Sequence, residues 1–119
     1  MPLLTRGFAS YEILAEHFET HVLFQGEFPG VQAEDEYLEL ADKFLSEPLN
    51  NATTEQCQRI KKDGSRGDIV RYNRTTQEFG VLSVGNVIRT YFIPTPTGMW
   101  GHGHRTNYDY FLWNCRLRR

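Results

Sequence analysis

The sequence predicts an α+β fold in which two N-terminal helices pack on a twisted antiparallel sheet of four to five strands. Apolar residues recur at steps of three and four in about residues 8–47, which is the helical period. From about 54 to 115, short apolar runs alternate with turn residues, which indicates strands. Helices followed by strands are typical of an α+β arrangement, and 119 residues suit a single domain, 1–119.

The first helix is predicted from about Tyr11 to about His21. Ser10 is a suitable N-cap, and Gly26 and Pro29 break the chain after the helix. The residues at helical spacing are Ile13, Leu14, His17, Phe18 and His21. Because Ile13 lies on the same face as the two histidines, we expect this face to point at the body of the protein.

A second helix is predicted between the acidic residues 34–36 and the break at Pro48. Its apolar residues follow steps of three and four: Tyr37, Leu38, Ala41, Phe44 and Leu45. Its outward face is acidic, which is typical of a solvated surface.

Four strands are predicted in the second half of the chain, at about 56–62, 68–73, 78–83 and 87–93. The connections between them are short, so neighbouring strands should be antiparallel. The aromatic-rich residues 107–115 predict either a last strand or a short helix.

Charge is distributed unevenly along the chain, although the net charge is only −2. Residues 1–47 contain ten acidic residues against Arg6 and Lys43, whereas residues 48–119 contain eleven Lys and Arg against five acidic residues. A chain divided in this way can present one basic face to a nucleic acid. Two ordinary solvated surfaces are the alternative explanation.

The sequence has no secretion signal and no apolar run near the ~20 residues that span a bilayer. We therefore expect a cytoplasmic protein. Cys57 and Cys115 are too few for a disulfide framework or a zinc site, so two reduced, partly buried thiols are expected.

Two histidines of the first helix are the first candidates for chemistry. His17 and His21 are four residues apart, which puts both on one helix face. Two imidazoles in a semi-apolar cleft suit acid–base catalysis near neutral pH. A structural pair with satisfied hydrogen bonds is the main alternative. A zinc pair is a weaker one, because the adjacent Glu and the third ligand of the helical zinc-protease motif are missing.

The predicted fourth strand supplies the second group of candidates, Arg89, Thr90 and Tyr91. Regular alternation would point Arg89 and Tyr91 to one side and Thr90 to the other. Arg can clamp a phosphate, Tyr can stack on a base or donate a proton, and Thr can bind a phosphate oxygen. An ordinary β-strand with one solvated Arg is the alternative.

A basic run around the first predicted hairpin is the third feature. It resembles an RNA-binding surface, and a solvated hairpin is the alternative. The residues predicted to contact RNA are Lys61, Lys62, Arg66, Arg71 and Tyr72. His102 and His104 flank Gly103 in a predicted loop and are expected to be exposed and inert; the alternatives are that they reach an active site or bind a metal weakly.

Taken in order, several motifs resemble the barnase/EndoU/colicin D/RelE-like (BECR-type) toxin domains. The helical motifs are His17-Phe18-Glu19-Thr20-His21, Glu27-Phe28-Pro29-Gly30 and Glu36-Tyr37-Leu38. The later ones are Gly67-Asp68-Ile69-Val70-Arg71-Tyr72-Asn73, Glu78-Phe79-Gly80-Val81 and Ile88-Arg89-Thr90-Tyr91-Phe92. Such domains occur in contact-dependent inhibition systems, in other bacterial polymorphic toxins and in phage proteins.

The resemblance implies a metal-independent ribonuclease that needs no cofactor, cleaves tRNA or other RNA, and is paired with an immunity protein. It implies catalytic roles for His21 with His17 as its partner, and for Arg89, Thr90 and Tyr91. The expected product is a 2′,3′-cyclic phosphate. An inactive RNA- or protein-binding module on the same scaffold is the second hypothesis. An ADP-ribosyltransferase is the third, weakened because no glutamate is obviously placed for that chemistry.

Overall fold

The computed structural model describes residues 3–94 and 106–116. It confirms the α+β class, with helices on both faces of a four-stranded antiparallel sheet. The elements, in chain order, are α1 (Tyr11–Phe18), a π-helical turn (Glu19–Phe24), α2 (Glu34–Ser46), β1 (Thr54–Ile60), β2 (Arg66–Asn73), β3 (Phe79–Leu82), β4 (Ile88–Phe92) and α3 (Asn107–Arg116).

Helix α1 begins where predicted, because the Ser10 side chain accepts a hydrogen bond from the Ile13 amide. Its end differs from the prediction. After Phe18 the helix widens into the π-helical turn, in which the Gln25 amide donates to the Thr20 carbonyl at 3.0 Å. Gly26, with a positive φ of 61°, then reverses the chain.

The buried stripe of α1 and the π-helical turn is Leu14, Phe18 and Val22. The prediction that Ile13 faces the body of the protein is wrong, since its side chain is exposed. The histidines, which share the Ile13 face, therefore lie beside the buried stripe, where side chains are only partly covered.

The strands lie in the order β1-β2-β3-β4, and each neighbouring pair is antiparallel, as predicted. Strand β4 is an edge strand, and part of its outer edge is occupied by partners within the fold. The Ile88 amide donates to the Gly7 carbonyl, and the Ile93 amide donates to Glu27 Oε1 at 2.6 Å. The Tyr91 carbonyl accepts from the Tyr37 hydroxyl. These partners protect part of this edge from pairing with another chain.

The sheet separates two apolar clusters. On one face, α1 and α2 enclose a cluster centred on Tyr37, Phe44 and Tyr91. On the other face, Phe111 of α3 packs on residues that include Val70 and Phe79. We call these two sides the helix face and the α3 face.

The aromatic segment at 107–115 forms helix α3, so the described residues contain no fifth strand there. The helix lies over β1 and β2, where Cys115 is disulfide-bonded to Cys57, with Cα atoms 5.9 Å apart. The prediction of two reduced thiols is wrong. The two cysteines are 58 residues apart, and only the return of α3 onto β1 brings them together.

Within residues 3–94 and 106–116, no helix has both the length and the apolar character that a membrane span requires.

Candidate active site

A cleft of about 620 Å³ opens on the α3 face. Its floor is formed by all four strands, and one wall is formed by α3. The polar lining residues are Arg59, Lys61, Asp68, Arg89, Thr90 and Asn114. Three cationic side chains therefore surround one carboxylate among the described lining residues, which favours an anionic ligand.

A network of hydrogen bonds crosses the cleft from α3 to β4. Arg59 donates to Asn114 through Nε to the carbonyl oxygen at 2.9 Å and through Nη2 to Oδ1 at 2.5 Å. Its Nη1 donates to Asp68 Oδ2 at 3.3 Å. The other carboxylate oxygen, Asp68 Oδ1, accepts from Arg89 Nε at 2.9 Å. Asp68 thus holds two guanidinium groups at once.

Arg89 is the exposed end of this network, with 58% of its side chain accessible. Within the described residues it makes this single hydrogen bond, through Nε, and neither terminal nitrogen has a hydrogen-bond partner there. A guanidinium held in this way offers the forked pair of donors that suits a phosphate.

The predicted alternation around Arg89 is wrong. The pairing register of β3 with β4 shifts between Val81 and Leu82. As a result, Ile88 lies opposite Leu82 and Thr90 lies opposite Val81. Arg89 is the extra residue of this β-bulge. The bulge redirects its side chain, and Arg89 lines the same cleft as Thr90 instead of sharing a side with Tyr91.

Tyr91 lies on the helix face, fully buried against Phe28 and Tyr37. Its hydroxyl donates to Glu78 Oε2. Burial and the nearby Glu78 carboxylate raise the pKa of Tyr91 far above its ordinary value. Tyr91 is therefore unsuited to the proton donation and base stacking that the sequence suggested for it.

His21 is held by a carboxylate at the edge of the sheet. Its Nδ1 lies 2.8 Å from Glu27 Oε2, and the other Glu27 oxygen accepts from the Ile93 amide. Because an ionised carboxylate only accepts, Nδ1 carries the hydrogen of this contact, and in the neutral imidazole Nε2 is then the acceptor. The His21 ring stacks on Phe92 with centroids 4.8 Å apart, and Phe92 lines the cleft.

The His17 ring packs between the rings of His21 and Phe8. Its centroid is 5.7 Å from that of His21 and 5.2 Å from that of Phe8. Burial, and secondarily the neighbouring His21, lower the pKa of His17 below its ordinary value. The structure thus brings the two predicted histidines together, with His21 between His17 and the cleft residue Phe92.

The predicted RNA contacts divide between the two faces. Lys61 lines the cleft, and Lys62 and Arg66 are exposed nearby. Arg71 is buried on the helix face, where Nη1 donates to the carbonyls of Phe44 and Glu47 at the end of α2.

Tyr72 is buried under α3, where its hydroxyl donates to Gln77. Arg71 and Tyr72 therefore serve the fold, and the geometry does not support their predicted contact with RNA.

Four polar residues of the site were not singled out from the sequence as site residues: Glu27, Arg59, Asp68 and Asn114. Glu27 follows His21 by six residues, a spacing with no helical signal, and only the π-helical turn and Gly26 bring the two together. Asp68 lies between Arg66 and Arg71 of the basic run, and its neighbours in sequence do not indicate a role in the site. Asn114 had no signal at all, because its role depends on where α3 packs.

His102 and His104 lie outside the described residues. Among residues 3–94 and 106–116, no three His, Cys, Asp or Glu side chains are grouped as they would be around a metal ion.

No protein-family model matches this chain, and no curated protein sequence matches it.

Proposed function

We propose that this chain is a metal-independent endoribonuclease of the toxin type, acting on tRNA or other single-stranded RNA. The observation that supports it best is the position of Phe92. This side chain lines the cleft that holds Arg89 and also stacks on the His21–Glu27 pair. The residue proposed as the base therefore packs on a residue of the cleft that holds the proposed phosphate-binding fork, although His21 itself is not among the described lining residues.

In the proposed reaction, Nε2 of His21 removes the proton from a ribose 2′-hydroxyl. The 2′-oxygen bonds to the adjacent phosphorus and the bond from phosphorus to the 5′-oxygen breaks. The leaving oxygen takes a proton from water, because the cleft is open to solvent at Arg89. The products are a 2′,3′-cyclic phosphate and a 5′-hydroxyl.

The remaining cleft residues stabilise charge and position the phosphate. The terminal nitrogens of Arg89 bind the oxygens on which negative charge develops, the kind of interaction that contributes most to catalysis. Thr90 donates its hydroxyl to a third oxygen, and Lys61 adds positive charge at the other end of the floor. Glu27 keeps His21 in the required tautomer and stabilises the imidazolium.

The substrate implies action in the cytoplasm of a bacterial cell, and a toxin of this type requires a cognate immunity protein in the producing cell. The immunity partner follows from the proposed activity and from the resemblance of the motifs.

The direct test is a digest of total tRNA by the purified protein with EDTA present. We expect cleavage with 2′,3′-cyclic phosphate ends, and no cleavage of a DNA strand of the same sequence, which lacks the 2′-hydroxyl. His21→Asn and Arg89→Ala should each lower the rate by roughly a hundredfold or more. Lys43→Ser, on the exposed side of α2, is the matched control and should cleave normally.

The burial of Tyr91 favours one second candidate, a catalytically inactive RNA- or protein-binding module, because it removes a predicted acid. RNA binding without cleavage by the wild-type protein, and unchanged by His21→Asn, would support this module and contradict the nuclease.

A further inference from the structure

The disulfide joins the same two elements as the Arg59–Asn114 contact and lies directly beside it. Cys57 and Arg59 are two residues apart on β1, and both contact α3, Cys57 through the disulfide and Arg59 through its hydrogen bonds to Asn114. Asn114 and Cys115 are consecutive in α3. The covalent bond therefore fixes the distance over which Asn114 holds the Arg59 guanidinium.

We propose that the Cys57–Cys115 disulfide is a redox-controlled clamp on the cleft, with Asn114 as a positioning residue. The proposal rests on the proposed function for its effect on RNA. With the disulfide formed, Asn114 orients Arg59, Arg59 orients Asp68, and Asp68 orients the exposed Arg89. Without it, the last turn of α3 is released and this series of contacts loses its fixed end.

The rest of α3 has attachments of its own, so reduction should affect mainly its last turn. Near the start of the helix, Asn107 donates to Gln77 Oε1 and Tyr108 donates to Glu55 Oε1. Phe111 is buried in the apolar cluster of the α3 face. Asn114 and Cys115 lie beyond these contacts, next to the cleft.

The reductant is a dithiol of the kind that keeps bacterial cytoplasm reducing. One dithiol sulfur attacks the protein disulfide and the second resolves the mixed disulfide. The dithiol is thereby oxidised to a disulfide, and its two hydrogens end on the sulfurs of Cys57 and Cys115. Both cysteine residues are partly exposed. In a reducing cytoplasm the bond should therefore be opened, and RNA affinity there should be lower than that of the oxidised protein.

The test measures binding and helix opening on the same samples. The binding probe is a fluorescent single-stranded oligonucleotide with 2′-O-methyl groups, which block cleavage. The protein is used oxidised, reduced by dithiothreitol, and re-oxidised, with thiol alkylation to count free cysteines. Hydrogen exchange reports the opening of Asn107–Arg116.

We expect reduction to weaken probe binding by roughly tenfold and re-oxidation to restore it. Amide exchange should rise in the last turn of α3 upon reduction. Asn114→Ala, kept oxidised, should weaken binding to a similar extent, and reduction should add little to it. Tyr108→Phe is the matched control on the same helix, because it removes a hydrogen bond to β1 that does not involve Arg59.

Three results would count against these ideas in different ways. If alkylation shows that both cysteines are reduced and amide exchange in α3 is still unchanged, the clamp is overturned, whatever the protein does to RNA. Opening of α3 with unchanged probe affinity would overturn the link through Asn114 and Arg59. Failure of the oxidised wild-type protein to bind the probe or cleave RNA would overturn the proposed function, and with it the effect of the clamp on RNA.

Discussion

The two faces of the sheet differ in where their hydrogen-bond networks end, within the fold on one face and at an exposed side chain on the other. On the helix face, the polar ends of buried side chains are bonded within the fold: Tyr37 to the Tyr91 carbonyl, Tyr91 to Glu78, and Arg71 to the end of α2. On the α3 face, the network that starts at Asn114 ends in Arg89, whose terminal nitrogens have no hydrogen bond within the described residues.

This difference separates structural from functional polar residues better than residue type does. Arg71 and Arg89 are both arginines on the sheet, yet one is buried with its donors occupied and the other is anchored at one nitrogen and 58% exposed. Satisfied buried donors contribute to stability, whereas anchored donors that face solvent can bind a ligand without further ordering. The following predictions test that separation.

The largest expected effect is on the helix face. Tyr91→Ala should lower the free energy of unfolding by about 4 kcal/mol, because it removes a fully buried aromatic ring. Urea denaturation measures it. Tyr91→Phe keeps the ring and should cost only ~1–3 kcal/mol, the cost of leaving Glu78 without its donor. Loss of RNA cleavage by Tyr91→Phe in a folded protein would show that Tyr91 has a chemical role after all.

Arg71→Met should lower the free energy of unfolding by about 3 kcal/mol, because the carbonyls at the end of α2 lose a charged donor. Its affinity for the 2′-O-methyl probe should remain unchanged, since the side chain is buried away from the cleft. A large loss of affinity at normal stability would contradict the assignment of Arg71 to the fold.

Asp42 makes the helix face sensitive to acid. Burial alone would raise the pKa of Asp42, but hydrogen bonds from the Thr5 hydroxyl and from the amides of Leu4 and Thr5 outweigh it and lower the pKa below its ordinary value. A carboxyl group with a lowered folded pKa stabilises the protein above the unfolded pKa, and this contribution is lost as pH falls through the folded pKa.

Asp42→Asn should therefore reduce stability by about 1 kcal/mol at pH 7 and make no difference at the acid end of the profile. The midpoint of thermal unfolding, followed from pH 7 to pH 2 for both proteins, measures this. Two parallel profiles would mean that Asp42 does not titrate as described.

The smallest stability effect is expected at the exposed basic residues beside the cleft. Lys62→Ser and Arg66→Ser should each change the free energy of unfolding by less than about 0.5 kcal/mol. Each residue that contacts a phosphate should lower the slope of log affinity against log salt by about 0.7. An unchanged slope in both variants would remove this surface from the RNA site.

The local elements were predictable because they depend on neighbouring residues. Ser10 begins α1, the acidic residues begin α2, and the four strands lie within two residues of their predicted bounds. The pairing of His17 with His21 was also predictable, since it needs only the spacing of one helix. Arg89 and Thr90 were correctly placed on one strand, although not on opposite sides.

The remaining features depend on long-range packing. The bulge at Arg89 is created by the register of β3 with β4, and the role of Asn114 is created by the docking of α3. The disulfide depends on the same docking. Tyr91 was assigned to the site because of its neighbours in sequence, whereas the pleat of the strand sends it to the helix face.

The central claim is that RNA binds on the α3 face of the sheet and not on the helix face. Amide chemical shifts of the oxidised protein, recorded while the 2′-O-methyl oligonucleotide is added, test it directly. The account predicts shifts at Gly67, Asp68, Arg89 and Thr90 around the cleft and at His21 beside it. Shifts confined to α2 and the segment around Gly7, or none at saturating oligonucleotide, would contradict it.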